Sequence, residues 1–176
     1  DILRARTIIL ACGVSWRQLE IEGFDRLVGK GISYGAARSE AANTHGLDVH
    51  VLGAGNSAGQ AAMFLSRHAS QCRLMIRGGD LAKSMSRYLV DQIERNDLVQ
   101  VCLHSEVVEL GGERELETVT VADTRSGERS AVPAKALFVF IGASPHTEWV
   151  EGQLATDNAG FLLTGRDVQD GALAEH

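Results

Sequence analysis

The stretch VHVLGAGNSAGQ, at residues 49–60, decides the fold of this chain. Its apolar residues predict a buried strand that ends at Gly53, and the residues after Gly55 predict a helix. Gly53 lets the chain turn sharply, Gly55 lets the backbone approach a phosphate, and Ala58 lets the helix pack on the strand. A strand, a glycine-rich turn and a helix in this order are typical of a site for the pyrophosphate of a dinucleotide.

The helix that follows the turn would direct its unpaired N–H groups and the positive end of its dipole towards the anion. A plain strand-to-helix turn is the alternative interpretation, because glycine-rich turns are common in proteins. The cofactor-binding residues predicted in this segment are Gly53, Ala54, Gly55, Asn56, Ser57 and Ala58.

Alternating strands and helices extend from this segment towards the C-terminus. Strands are predicted at residues 47–52, 74–76 and 99–103, with helices at about 57–69 and 82–95 between them. The helix over 82–95 is amphipathic, with apolar residues four apart on one face. This β-α-β-α-β pattern is half of a doubly wound parallel sheet.

The pattern changes after residue 105. Residues 106–110, 116–123 and 129–133 alternate apolar and polar side chains, which predicts an antiparallel meander. The run ALFVFI at 136–141 is again typical of a fully buried strand. The predicted fold class is therefore α/β, a Rossmann-like doubly wound parallel sheet with a three-stranded antiparallel meander as a crossover.

Three further segments have a composition that predicts their structure. The apolar run TIILA at residues 7–11 predicts another buried strand, and residues 36–45 predict a short helix. The tail from Asn158 is rich in Gly and Asp, and we expect it to be poorly ordered if nothing follows it.

Composition excludes several functional classes. The net charge of −6 argues against a nucleic-acid partner or an anionic membrane surface. Nothing resembles a signal peptide, and no apolar run approaches the ~20 residues that span a bilayer. The three cysteines, Cys12, Cys72 and Cys102, are widely spaced and odd in number, which favours reduced thiols and a cytoplasmic location. The histidines lack metal-ligand spacing, so no metal site is predicted.

The end of the second strand indicates which dinucleotide would bind. An NAD-selective site usually has a carboxylate there, but this chain has Arg77, whose guanidinium suits the 2′-phosphate of NADP. Lys83 and Arg87 would add positive charge, so NADPH is predicted. A solvated surface arginine is the alternative for Arg77, and Asp80 would favour NAD if it reached the ribose.

Four segments together resemble thioredoxin-reductase-like flavoproteins of the pyridine nucleotide–disulfide oxidoreductase superfamily. They are TIILACG at 7–13, GISY at 31–34, LGAGNSA at 52–58 and FIGASPHT at 140–147. Arg77 also aligns with an arginine of the His-Arg-Arg segment of that family. The resemblance extends over nearly the whole chain.

The resemblance implies a domain organisation. Residues 1–32 would be a remnant of an FAD-domain strand and linker, and 33–141 the NAD(P)H-binding domain. Residues 142–176 would return, partly disordered, towards an FAD domain that is missing here. Because the chain begins without Met, we expect it to be a piece of a larger protein. The resemblance also places Gly142 among the cofactor-binding residues.

The chain departs from the family at the redox centre. Where thioredoxin reductases carry Cys-x-x-Cys, it reads GAAR at residues 35–38, so the dithiol that relays electrons is absent. The segments NSAGQAA at 56–62 and SMSRYL at 84–89 resemble a branch that lacks these cysteines.

The implied function is delivery of hydride from NADPH to FAD in the full-length protein, with the isolated fragment inactive. No residue is predicted to be catalytic. The electron acceptor is left open between a ferredoxin-like protein and a quinone, and a homodimer is also left open. The alternatives are a non-catalytic NADP(H)-binding module that senses redox poise, and an α/β domain that binds no nucleotide.

Overall fold

The structure is a computed structural model that describes residues 4–36 and 38–168, with Arg38 described by its backbone alone. The described residues form two compact units, one of residues 18–141 and one of 4–17 with 142–168. The domain boundaries predicted after residues 32 and 141 stay predictions.

The secondary structure alternates in the order that the sequence predicts. The strands are β1 (Val14–Trp16), β2 (Ile32–Ser33), β3 (Asp48–Leu52), β4 (Gln71–Met75), β5 (Val99–Cys102), β6 (Ser105–Gly111), β7 (Thr118–Asp123), β8 (Arg129–Pro133), β9 (Ala136–Val139) and β10 (Ala143–Pro145). The helices are α1 (Phe24–Leu27), α2 (Arg38–Ala42), α3 (Asn56–Leu65) and α4 (Arg87–Glu94).

A five-stranded parallel sheet forms the centre of the larger unit, in the strand order β2-β9-β3-β4-β5. Successive side chains of a strand point to opposite faces, so β3 supplies both layers of the core. Val49 and Val51 belong to the cluster that contains the helices, whereas Leu52 belongs to the cluster that contains the meander. Strand β3 therefore buries side chains on both faces, as expected in a covered parallel sheet.

Helices α3 and α4 cover one face of this sheet. Leu65 of α3 and Leu74 of β4 are fully buried in the same cluster. Burying a leucine side chain contributes about 1.5–3 kcal/mol relative to leaving it exposed. Helix α4 begins at Arg87, five residues later than the predicted start at 82, because residues 80–86 form a loop instead. We call this loop the strap.

The meander covers the other face. Strands β6, β7 and β8 form an antiparallel sheet in that order, as predicted. Val107 and Val119 of the meander share a buried cluster with Met75 and Leu137 of the parallel sheet. The larger unit thus has three layers, with helices, parallel sheet and meander stacked in turn.

The smaller unit holds an antiparallel pair, β1 with β10. The predicted strand at residues 7–11 is wrong: these residues form no strand, and Ile8 is 79% and Ile9 92% exposed. An apolar run becomes a buried strand only where neighbouring strands pair with it and cover it. Among residues 4–36 and 38–168, nothing does so for this run.

The start of the predicted poorly ordered tail forms hydrogen-bonded turns. The Asp157 carboxylate accepts hydrogen bonds from the N–H groups of Ala159 and Phe161. Residues 169–176 lie outside the described residues, so the expectation about them stays a prediction. Within the part of the chain that the structure describes, no helix has the length and apolarity required to cross a membrane.

Candidate functional site

The carboxyl ends of the parallel strands meet at one edge of the central sheet. In open α/β sheets a crevice at this edge is the usual ligand site. Gly53 follows β3 and Phe140 follows the neighbouring β9, and the Phe140 N–H donates to the Leu52 carbonyl at 2.7 Å. Gly53 has a φ of +142°, and a Cβ there would collide with the Phe140 carbonyl oxygen. Gly53 is therefore required by the packing of the two strand ends.

Gly55 differs from Gly53. It has an ordinary φ of −85° and precedes α3 as its N-cap, and no side chain caps the helix. A Cβ at Gly55 would meet no atom within 4 Å, so the protein itself does not require glycine there. What glycine leaves is open space at the N-terminus of a ten-residue helix. That space fits the close approach of a pyrophosphate to the backbone.

The first N–H groups of α3 lie beside this space. The bond from the Gly59 N–H to the Gly55 carbonyl oxygen, at 3.1 Å, is the first i to i−4 bond of the helix. The N–H groups of Asn56, Ser57 and Ala58 precede it and so have no carbonyl four residues behind them within the helix. Ser57 is exposed and Ala58 is buried against the core, as its predicted packing role requires.

The strap lies across the turn. The Ser84 hydroxyl donates to the Ala54 carbonyl oxygen at 2.9 Å, and the Ser86 N–H donates to Asn56 Oδ1 at 2.7 Å. Met85 is buried, and its sulfur lies 2.7 Å from where a Cβ of Gly59 would stand. The Asn56 side chain therefore holds the strap, and its backbone N–H is the group left to face an anion.

Arg77 lies just beyond β4, at the same edge of the sheet. Its side chain is 76% exposed, and its guanidinium is 3.6 Å from the carboxylate of Glu106 on β6. The Thr124 hydroxyl donates to the Arg77 carbonyl oxygen at 3.2 Å, which fixes the backbone at this point. The edge thus carries a cation whose side chain is free to move and whose backbone is held.

The other predicted charges near the strap differ in how they are paired. Lys83 is exposed on the strap, and no ion pair involves it among the residues described. Arg87 is paired along α4, with its Nε 2.8 Å from the Asp91 carboxylate. Asp80 accepts a hydrogen bond from the Ala82 N–H at 2.8 Å, so one of its oxygens is used within the strap.

Gly142 belongs to the smaller unit, where it precedes β10. Its φ of +103° favours glycine, and its carbonyl oxygen accepts a hydrogen bond from the Arg17 N–H at 3.1 Å. The contacts of Gly142 thus give it a local structural role in the turn into β10, and its predicted contact with a cofactor stays a prediction.

Sequence reasoning missed the residues that contact this edge from other elements. Ser84 and Ser86 gave no signal, because they lay within a predicted helix. Glu106 and Thr124 lie on or beside strands of the meander, far from Arg77 in sequence. A sequence pattern within one segment does not reveal contacts with distant segments. The position of Arg77 directly after a strand end was the one indication of a partner at that point.

The cysteines are not joined in disulfides. Cys12, Cys72 and Cys102 are free, and burial raises the pKa of the Cys72 thiol to about 12. Burial also raises the pKa of the Cys102 thiol. In the segment that replaces Cys-x-x-Cys, Gly35 and Ala36 follow β2, whereas Ala37 lies outside the described residues. Within the described residues, no group of three or more His, Cys, Asp or Glu is placed to hold a metal ion.

The sequence matches known reductases. The family model for pyridine nucleotide-disulphide oxidoreductase matches residues 1–171. A thioredoxin reductase from Streptomyces clavuligerus is 32% identical over 159 residues, which are 90% of this chain and 48% of that protein. The 34.2 kDa protein in the rubredoxin operon of Clostridium pasteurianum is 28% identical over 168 residues, 96% of this chain and 54% of that protein. The chain spans about half the length of these curated relatives.

Solved structures agree with the sequence matches. Thioredoxin reductase from Giardia duodenalis superposes with a TM-score of 0.74 at 26% identity, covering 84% of this chain and 48% of that one. Thioredoxin reductase from Lactococcus lactis, at 24% identity, has the same fold, with a TM-score of 0.76 over 88% of this chain and 50% of that one.

Both the predicted fold class and the resemblance to thioredoxin-reductase-like flavoproteins are confirmed. The parallel sheet, the crossover meander and the glycine-rich turn all lie within the residues that the family model matches. With 171 of its residues inside that match, the chain belongs to the pyridine nucleotide-disulphide oxidoreductase family.

Proposed function

We propose that this chain is the NADPH-binding part of a thioredoxin-reductase-like, FAD-dependent oxidoreductase. The observation that carries the proposal is the open space at Gly55, at the N-terminus of α3 and beside the carboxyl ends of the parallel strands. The protein's own packing does not require this glycine, but a bound pyrophosphate would. The relatives named thioredoxin reductase support the same assignment.

Each group at the edge of the sheet has a role in this proposal. The N–H groups of Asn56, Ser57 and Ala58 would hold the pyrophosphate, aided by the positive end of the α3 dipole. Arg77 would bind the 2′-phosphate through charge-assisted hydrogen bonds, with Lys83 adding positive charge. The strap fixes Ala54 and Asn56 and so keeps the turn in shape before the nucleotide arrives.

In the full-length protein, bound NADPH would supply a hydride and FAD would accept it. The role of the described residues is binding and orientation, and none of them is proposed as a nucleophile or a proton donor. Because the sequence has no Cys-x-x-Cys and the Cys72 thiol is buried with a raised pKa, the electron acceptor would be other than a disulfide reached through a dithiol of this chain. A ferredoxin-like protein or a quinone fits this requirement. We expect the chain alone to have no turnover.

Calorimetric titration of the 176-residue chain with NADPH and with NADH tests nucleotide binding. NADPH should bind more tightly, on the order of tenfold, because only NADPH has a 2′-phosphate that Arg77 can bind. The variant Gly55→Ser should weaken both nucleotides strongly, since a Cβ would fill the space for the pyrophosphate, while serine keeps a good N-cap for α3. Absence of heat with either nucleotide would refute the proposal, and tighter binding of NADH would refute the role of Arg77.

A second candidate is a non-catalytic NADP(H)-binding module that senses redox poise. The observation in its favour is the absence of Cys-x-x-Cys from the sequence. The flavin content of the longer protein separates the two candidates. Stoichiometric FAD that bleaches on addition of NADPH supports the oxidoreductase, whereas a colourless protein that still binds NADPH supports the sensing module.

A further inference from the structure

The end of β4 is shaped by the meander as well as by the parallel sheet. The Thr124 hydroxyl donates to the Arg77 carbonyl oxygen, and the His104 N–H donates to the Gly78 carbonyl oxygen at 3.0 Å. A Cβ at Gly79 would lie 2.6 Å from the imidazole of His104, so this glycine allows the ring to pack closely. The backbone that carries Arg77 is therefore anchored, and only its side chain has freedom to move.

Glu106 is the acidic group within reach of that side chain. Its carboxylate is 45% exposed and lies 3.6 Å from the Arg77 guanidinium, which is longer than a hydrogen bond. An exposed ion pair of this length is weak, because water screens it and two flexible side chains must be held in place. A phosphate dianion that forms direct, charge-assisted hydrogen bonds would compete with Glu106 for the same guanidinium.

We propose that Glu106 is a specificity-determining residue, which competes with the 2′-phosphate for Arg77 and limits the preference for NADPH over NADH. The inference rests on the proposed function of this edge as a nucleotide site. NADH has no 2′-phosphate, so its binding does not require the Arg77–Glu106 pair to open. Glu106 therefore changes the ratio of the two affinities and leaves the affinity for NADH as it is.

The test is calorimetric titration of the Glu106→Gln variant with both nucleotides. Glutamine keeps the size of the side chain and removes its charge, which frees Arg77 for the phosphate. We expect the affinity for NADPH to rise about two- to fivefold, the range for one weak exposed charge interaction, with NADH unchanged. The gain should shrink as salt is raised, because both groups face solvent.

Glu109→Gln is the matched control, because it removes the same charge from the same strand. The Glu109 carboxylate is bonded to Arg129 and Thr120 rather than to Arg77. We expect this variant to leave both affinities unchanged. An equal gain in Glu109→Gln would mean that net charge alone is responsible, and would overturn the role of Glu106.

Arg77→Gln completes a double-mutant cycle with Glu106→Gln. If Glu106 acts by holding Arg77, its removal should have much less effect once Arg77 is gone. An undiminished gain in the Arg77→Gln background would overturn the competition. If the unmodified chain binds neither nucleotide, the proposed function fails; if it binds NADPH but Glu106→Gln leaves the ratio of affinities unchanged, only the role of Glu106 fails.

Discussion

Two glycines of the same turn are present for different physical reasons. At Gly53 a side chain would meet the Phe140 carbonyl oxygen, and the φ of +142° is one that other residues rarely adopt. At Gly55 the backbone is ordinary, and a side chain would enter empty space. A sequence motif gives both positions the same letter, whereas in the structure the packing of the chain requires glycine at Gly53 and not at Gly55.

The difference predicts that substitutions at the two glycines change the stability of the fold by different amounts. Gly53→Ala should lower the free energy of unfolding by roughly 2–4 kcal/mol, because it adds backbone strain and a collision between strand ends. Gly55→Ser should change it by less than about 1 kcal/mol, since serine is a good N-cap. Urea unfolding followed by circular dichroism measures both. Equal destabilisation by the two substitutions would contradict this assignment.

His50 is a fully buried titratable residue on β3. Its Nε2–H donates to the Pro133 carbonyl oxygen at 3.2 Å, whereas Nδ1 is buried without a hydrogen-bond partner among the described residues. Burial lowers the pKa of His50 below its usual 6.5, and Arg73 lowers it further, against the opposing effects of Pro133 and Asp48. The folded chain therefore holds His50 in its neutral form.

This predicts a pH dependence of stability. Between the lowered pKa of the folded state and about 6.5, the unfolded chain binds more protons than the folded one, so stability falls as the pH falls. The contribution of His50 is fully present above pH ~7 and is lost progressively below about 6.5. Urea unfolding from pH ~7.5 to ~5 should show a smaller loss for His50→Gln than for the unmodified chain. His45→Gln, at an exposed position, should keep the original slope.

At the scale of elements, the strap joins α4 to the glycine-rich turn. Its attachment consists of two hydrogen bonds and two buried side chains, Leu81 and Met85. A short loop held by so few contacts is expected to open locally without global unfolding. The strap is therefore the element whose opening would change the shape of the proposed nucleotide site.

Substitution of Asn56 tests this attachment. Asn56→Ala removes the acceptor of the Ser86 N–H, which should cost about 1 kcal/mol and speed amide hydrogen exchange across residues 81–86. Asn56→Asp keeps the acceptor and suits the positive end of α3, so exchange should stay slow. The added negative charge should nevertheless weaken NADPH and NADH alike. If the Asn56→Asp variant exchanged as fast as the Asn56→Ala variant, the hydrogen bond would not be what holds the strap.

Elements that depend on local apolar patterns could be predicted from the sequence, whereas features that depend on contacts with distant segments could not. Strands β3, β5 and the meander agree with the prediction within a few residues, because their apolar patterns are local. The predicted start of α4 is too early. That prediction counts Met85 as part of the apolar face of a helix, but Met85 is buried as a residue of the strap, before α4 begins. The run at 7–11 has the pattern of a strand without forming one, because an apolar pattern indicates suitability for burial and not the presence of a covering layer.

The candidate site could also be predicted only in part. The turn and Arg77 lie at strand ends that the alternating pattern already indicated. The partners of those residues, Ser86 and Glu106, depend on how loops and the meander fold back, which no local pattern records. The sequence therefore predicted where the turn and Arg77 lie, but not the residues that restrain them.

At the scale of the whole molecule, burial protects the Cys72 thiol. Cys72 is fully buried with a pKa of about 12, which leaves a thiolate fraction on the order of a thousandfold below that of an ordinary cysteine. Because the thiolate is the reactive form, Cys72 should resist iodoacetamide at pH ~8 in the folded chain and react in urea. Mass spectrometry of tryptic peptides measures this. Rapid labelling of Cys72 in the folded chain would contradict its burial.

The position of β9 has a consequence for how the chain reaches its fold. Strands β3, β4 and β5 follow one another in the sequence, with α3 and α4 as the connecting helices, so they can pair soon after they leave the ribosome. Of the five parallel strands β9 is made last, and it must enter between β2 and β3. Until it does, the edge of β3 is unpaired and open to other nascent chains. We therefore expect the seating of β9 to limit the folding rate.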